Sequence, residues 1–171
     1  SLLLATRGFK VAVIDLNKSP YPHPRAVGLN GYSMSIIESV LKDSWKEFQF
    51  TSAVEVGYVM GITKMDKPFG KMEPPIIEGK VLDLDRYGFL NWFNQPQLEK
   101  LLRIQINKNK NITTYFGTES LVLWEEKSRN CLQIQNTASG KTETITSKYL
   151  IGADGRGSFV RKQMGANLKI L

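Results

Sequence analysis

Hydrophobic and polar positions switch between helical and strand periods along the chain. Ser1–Gly8 carries three leucines and an alanine ahead of Arg7, which predicts the last turns of a helix closed by Gly8 as a C-cap. Phe9-Lys-Val-Ala-Val-Ile-Asp15 is a short β-branched run ending in an acid, the pattern of a buried parallel strand. Pro20, Pro22 and Pro24 make residues 17–26 an extended loop. Apolar residues at 34, 36, 37, 40 and 41 return to helical spacing. A strand is expected over 54–63, and loops between sheet strands over 64–85. Pro96 takes a helix-start position after Asn94 and Gln95, and Leu98, Leu101, Leu102, Ile104 and Ile106 continue that helix to about residue 107. Strands are expected at 112–117, 120–126 and 130–136, with a Ser139-Gly140 turn before 142–146. Tyr149-Leu-Ile-Gly152 predicts one more short buried strand.

The arrangement is α/β. Helix, glycine, buried strand and acid form the second half of a βαβ unit. In a dinucleotide-binding unit the acid follows the glycine fingerprint by about 20 residues. Counting back from Asp15 places that fingerprint ahead of Ser1. The expectation is a Rossmann-like sheet whose first strand and glycine loop are missing from the chain, which is a piece of a longer protein. Three segments are expected: a nucleotide-binding part at 1–52, a β-rich insert at 53–93, and a return to the first part at 94–171.

Composition narrows the picture by exclusion. The 171 residues carry 23 Lys and Arg against 16 Asp and Glu, a formal charge of +7. The lysines are scattered, and no zinc-finger, RNP or basic-region motif is present, so nucleic acid is not the expected partner. No apolar run reaches the roughly 18 residues that span a bilayer, so no membrane is expected, and the cytoplasm is the simplest compartment. A single cysteine, Cys131, allows neither an internal disulfide nor a zinc site; it falls in an alternating strand and reads as inert. His23, the only histidine, has no partner set for a triad or a metal. Trp45, Trp92 and Trp124 are expected to pack in the core or on sheets.

The most specific segment is Tyr149-Leu-Ile-Gly-Ala-Asp154-Gly155-Arg156-Gly157-Ser158-Phe159-Val160-Arg161. A hydrophobic strand runs into Asp-Gly, then a serine able to cap a helix, then an arginine. Its glycines allow backbone to approach a ligand closely. Arg161 could meet a phosphate or Asp154, and Asp154 could accept from sugar hydroxyls or a water. An ordinary turn followed by an ordinary cap is the plain alternative.

With that segment the chain resembles the single-component FAD-dependent aromatic hydroxylases of the para-hydroxybenzoate hydroxylase superfamily, whose second fingerprint is a strand followed by Asp-Gly, Ser and Arg. It is most similar to the branch of 3-(3-hydroxyphenyl)propionate and phenol hydroxylases. Pro24-Arg25-Ala26-Val27-Gly28 resembles the arginine loop after the ribose-binding acid. Phe93-Asn94-Gln95-Pro96-Gln97-Leu98-Glu99 resembles the branch's glutamine-proline-glutamine helix start. The resemblance runs from about Leu2 to Gly165, the front part of such an enzyme; the later Gly-Asp motif would lie beyond Leu171.

What the resemblance implies is an FAD enzyme that uses NADPH or NADH and O₂ to hydroxylate a small aromatic, phenolic substrate through a flavin C4a-hydroperoxide. It implies cofactor-binding roles for six residues. Asp15 would hold the adenosine ribose, the plain alternative being a solvent-facing charge. Arg25 would lie near the pyrophosphate and the passing nicotinamide cofactor, and Gln95 would offer its amide to the flavin, the alternative being helix capping with Asn94. Asp154, Gly155 and Arg161 would join FAD and NAD(P)H binding. Glu99 reads as compensation of the helix dipole. No catalytic residue and no metal ligand are assigned, because the hard chemistry of such an enzyme belongs to its cofactor. The oligomeric state is open, a homodimer included. Rival readings are a reductase or non-aromatic oxygenase on the same fold, a non-catalytic nucleotide-binding module, and a basic nucleic-acid binder.

Overall fold

The computed structural model describes residues 1–23, 25–52, 58–60, 68–71, 76–77, 80–81, 87 and 90–166. They form two compact units, one from residues 8–19 with those from 111 on, the other from residues 2–7 with 20–110. Each is built from helices and strands, as the α/β reading requires.

The chain opens with helix α1, Leu2–Thr6, followed by Gly8 at φ +85°, a left-handed conformation that favours glycine. Strand β1, Val11–Asp15, belongs to the first unit. It pairs in parallel with β9, Ile112–Phe116, in the register Val11 to Ile112 through Asp15 to Phe116. The parallel expectation holds, but burial is only partial: Ala12 and Phe9 are exposed and the other strand residues half-buried. A two-stranded ladder leaves the outer edge of each strand unpaired among the described residues, and a strand so placed does not bury its whole apolar run.

The same unit continues into a three-stranded antiparallel meander. Strand β10 (Thr118–Glu126) pairs with β11 (Arg129–Asn136), and β11 pairs with β12 (Thr142–Ser147). Gly140 turns the second hairpin at φ +68°, as the Ser-Gly pair predicts, and the Asn136 carboxamide accepts from the Ala138 and Ser139 N–H groups. Cys131, Leu132 and Ile134 of β11 are buried. Trp124 lies opposite Cys131 in the register yet stays 38% exposed.

The expected buried strand at 149–152 does not form. The segment has no ladder partner among the described residues, and Tyr149 and Ile151 are 73% and 74% exposed. Hydrophobic composition alone cannot make a strand, because an extended segment gains its backbone bonds only from a neighbour. The chain then enters the five-residue helix α4, Phe159–Gln163.

The second unit holds the larger core. Asn30 accepts from the Ser33 N–H and so caps helix α2, Gly31–Leu41, which continues into a 3-10 turn at Lys42–Glu47. Helix α3, Gln95–Lys108, starts on Asn94, whose side chain accepts from the Gln97 N–H, with Pro96 in the first turn. The two helices share a core of Met34, Leu41, Phe48, Tyr87, Leu98 and Leu101. Trp45 packs at its margin against Phe48, Phe50 and Tyr87, at ring separations of 5.3–5.5 Å.

A small sheet that the periodicity does not reveal completes this core: β2 (Gly28–Leu29), β8 (Asn91–Phe93) and β3 (Phe50–Ser52), all antiparallel, with β8 central. Asn91 is fully buried there and donates to the Leu29 carbonyl. Trp92 faces outward and is 49% exposed, contrary to the packing expected of it.

The remaining strands are short antiparallel pairs: β4 (Tyr58–Met60) with β5 (Pro68–Lys71), and β6 (Ile76–Ile77) with β7 (Lys80–Val81). Most of the expected strand at 54–63, of the loops at 64–85 and of the insert at 53–93 lies outside the described residues, as does Pro24.

Candidate functional site

In the second unit the proline-rich loop is tied to the start of α3 by one side chain. Gln95 Oε1 accepts from the backbone N–H groups of both Arg25 and Ala26, each at 2.8 Å, across about seventy residues of sequence. Its Nε2 donates to Glu99 Oε1 at 2.8 Å, one helical turn further along α3. Gln95 therefore does not cap the helix; Asn94 does. Among its described residues the loop has no regular secondary structure, and these two bonds to Gln95 give the Arg25 and Ala26 N–H groups their acceptor.

The Arg25 guanidinium lies over the Tyr21 ring at 3.9 Å from its centroid, a cation–π contact, and Tyr21 in turn meets His23 edge-on at 5.6 Å. Arg25 is exposed, so the stacking fixes the side chain while leaving the cation open to solvent. Gln97 works on a different segment: it accepts from the Gln49 N–H and donates to the Glu47 carbonyl, tying α3 to the turn ahead of β3.

In the first unit Asp15 stands at the end of β1, where one carboxylate oxygen accepts from the Asn17 backbone N–H at 2.8 Å and from its side-chain amide at 3.3 Å. This is a local turn that fixes the carboxylate at the strand end.

The Asp-Gly segment is a tightly bonded unit. Asp154 Oδ1 accepts from the buried Ser158 hydroxyl and Oδ2 from the Val160 N–H at 3.0 Å. Ser158 Oγ accepts from the Arg161 N–H at 3.0 Å, which makes it the cap of α4. Burial pushes the Asp154 carboxyl up, but the Ser158 hydroxyl and the surrounding backbone N–H groups outweigh it and hold the group below its ordinary range.

Gly155 sits at φ +73° with open space where a Cβ would be, so the turn's backbone, not crowding, requires glycine. The Arg161 guanidinium donates to the Arg156 carbonyl at 3.0 Å. It braces the turn from the far side and does not pair with Asp154, one of the two partners open to it on sequence.

Gly152 is crowded instead. A Cβ there would lie 2.8 Å from Val160 Cβ and 2.9 Å from its Cγ1. The β-branched valine cannot swing aside, so Gly152→Ala is expected to destabilise the first unit by about 1–3 kcal/mol. A thermal melt of the variant against wild type checks this; an unchanged Tm would show that the segment relaxes freely.

Six sequence-assigned residues thus fall into two groups. Arg25 and Gln95 are joined in one unit, and Asp154, Gly155 and Arg161 belong to one turn in the other, which also holds Asp15 at the end of β1. Two further residues take part. Tyr21 gives no signal in the sequence, since its stacking depends on the loop path. Glu99, which the sequence offers as compensation of the helix dipole, bonds Gln95 instead, and the spacing allows it because Gln and Glu four apart on a helix share a face. Among the described residues no group of three His, Cys, Asp or Glu side chains could hold a metal, and no helix is long and apolar enough to cross a membrane.

Against known proteins, residues 1–170 match the family model described as FAD binding domain. The chain belongs to that family. It is 23% identical over 171 residues to a 3-(3-hydroxy-phenyl)propionate/3-hydroxycinnamic acid hydroxylase of Escherichia coli, with 94% of this chain and 27% of the relative covered. A hydroxylase of the same name from Burkholderia vietnamiensis is 25% identical over 165 residues, covering 95% of this chain and 25% of the relative. The chain therefore spans about a quarter of the length of these curated relatives.

Among solved structures it is similar to p-nitrophenol 4-monooxygenase PnpA from Pseudomonas putida. The TM-score is 0.75 at 17% identity, over 96% of this chain and 39% of that one. It is also similar to the flavin-dependent monooxygenase PieE in complex with FAD and substrate, with a TM-score of 0.71 at 22% identity, over 96% of this chain and 29% of that one. These likenesses establish the fold.

Proposed function

We propose that this chain is the cofactor-binding front part of an FAD-dependent monooxygenase that hydroxylates a small aromatic, phenolic substrate with NAD(P)H and O₂. The observation that carries the reading is the bonded Asp154–Ser158–Arg161 turn in a chain that matches the FAD binding domain family over residues 1–170. The named relatives are aromatic hydroxylases, which supports the substrate class.

The residues present suit the cofactor by their chemistry. Arg25 offers an exposed cation to a pyrophosphate. Gln95, with its oxygen bonded twice and its nitrogen once, has one Nε2–H left among the described residues for a carbonyl or hydroxyl. Asp15 presents a strand-end carboxylate of the kind that takes ribose hydroxyls. Asp154, Gly155 and Arg161 would serve by holding the turn in one shape beside the bound nucleotide. Bound FAD would supply the redox chemistry, accepting hydride from NAD(P)H and activating O₂ for transfer to the ring. The chain's own work is binding, orientation and exclusion of water. The division into 1–52, 53–93 and 94–171, with the middle segment as the start of a layer over the substrate, is part of the proposal.

The test is the visible absorption spectrum of the purified full-length protein, followed by NAD(P)H oxidation with a panel of phenols. Flavin bands, and oxidation stimulated by a phenol that emerges hydroxylated, are the expected result. No flavin bands even after FAD is added would overturn it. Phenol-independent oxidation with no hydroxylated product would favour a reductase.

A further inference from the structure

We propose that Glu99 is a positioning residue that sets the hand of the Gln95 amide and, through it, the conformation of the Arg25 loop. The three bonds of that amide admit one orientation. Its oxygen faces two backbone N–H donors, from Arg25 and Ala26, and its nitrogen faces a carboxylate oxygen. Turned over, the NH₂ would confront two donors and the carbonyl would confront a carboxylate. All three bonds would become repulsive contacts.

Two successive backbone N–H groups converging on one point form a nest that otherwise attracts an anion. Here the Gln95 oxygen fills it, so these two N–H groups are taken, while the exposed Arg25 guanidinium stays open to an anionic ligand. The half-buried Glu99 strengthens the arrangement in two ways. It restrains a long side chain that would otherwise sample many rotamers. Its charge-assisted bond also polarises the amide and increases the accepting power of the oxygen. Dipole compensation at the helix start would need only the charge; holding the amide needs an acceptor atom at that place.

The value of this device to cofactor binding rests on the function proposed above, but the device itself is testable without it. Backbone amide exchange at Arg25 and Ala26 is to be followed in the full-length protein for wild type, Glu99→Ala, Glu99→Gln and Gln95→Ala. Glu99→Ala is expected to speed exchange of these two amides by about tenfold, and Gln95→Ala by more. Glu99→Gln keeps a carbonyl oxygen for Gln95 Nε2 and is expected to stay close to wild type. The proposal is overturned if Glu99→Ala leaves the two amides unchanged, or if Glu99→Gln is as fast as Glu99→Ala, which would mean that the charge alone matters. It is equally overturned if Gln95→Ala leaves them protected. Flavin retention measured on the same four proteins reports on the FAD reading separately. A protein that takes no flavin still gives the exchange result.

Discussion

Asp154→Ala is expected to release the Asp-Gly turn and to weaken flavin retention by about tenfold or more, a loss of at least about 1.4 kcal/mol. The alanine removes the acceptors of both the Ser158 hydroxyl and the Val160 N–H. Bonds to an ionised acceptor contribute more than neutral ones, and Ser158 is buried, so water replaces the lost acceptor of its hydroxyl poorly. Ser158 also caps α4, so the fault spreads into the first turn of that helix. Asp154→Asn keeps one carbonyl oxygen and is expected to fall between alanine and wild type. Flavin titration followed by fluorescence measures the series, and equal affinity for all three proteins would remove Asp154 from the cofactor-binding machinery.

The same carboxylate gives the turn a pH dependence. Its folded pKa lies below its ordinary value, so ionised Asp154 favours the folded state. That contribution is complete above the unfolded value of about 3.9 and is lost as pH falls through the lower folded value. Asp154→Asn should therefore lose stability relative to wild type at neutral pH, with the gap closing in strong acid. A gap that stays constant from neutral pH into acid would contradict the assigned cause.

The largest effect on stability is expected from Leu41→Ala, about 3–5 kcal/mol. Leu41 is fully buried at the end of α2, in the cluster with Met34, Phe48, Leu98 and Leu101. Truncation leaves a cavity between α2 and α3 bordered by aromatic rings that cannot collapse into it. A domain holds only about 5–15 kcal/mol in all, so the loss is a large share. Because α3 carries Gln95 and Glu99, the loop at Arg25 should loosen as well. Denaturant unfolding measures the first effect and amide exchange at Arg25 the second. A loss below about 1 kcal/mol would mean that the core repacks around the smaller side chain.

How far the site could be read without coordinates follows from the range of each interaction. The Asn94 cap, Pro96 in the first turn, the positive φ of Gly8 and Gly140, and Ser158 as a cap all depend on neighbours within a few residues, and periodicity with turn chemistry finds them. The three-stranded sheet around Asn91–Phe93 escaped because its strands have two or three residues each and too little length to show a period. The stretch at 149–152 shows the opposite failure: its residues favour a strand, but no neighbour pairs with it among the described residues, and Tyr149 and Ile151 stay exposed. The residue type of Trp92 and Trp124 favours packing, but on their sheets both stay partly in solvent.

By itself, then, the sequence determined the α/β character, the helix starts and the meander. Those features are local, or they are motifs of fixed spacing. Only the tertiary structure decided what the residues do to one another. Gln95 reaches back some seventy residues to hold the Arg25 loop, Arg161 braces a carbonyl and not Asp154, and Gly152 is demanded by Val160. A hydrogen bond or a steric limit depends on where two groups meet in space, and that meeting is set by the packing of elements remote in sequence.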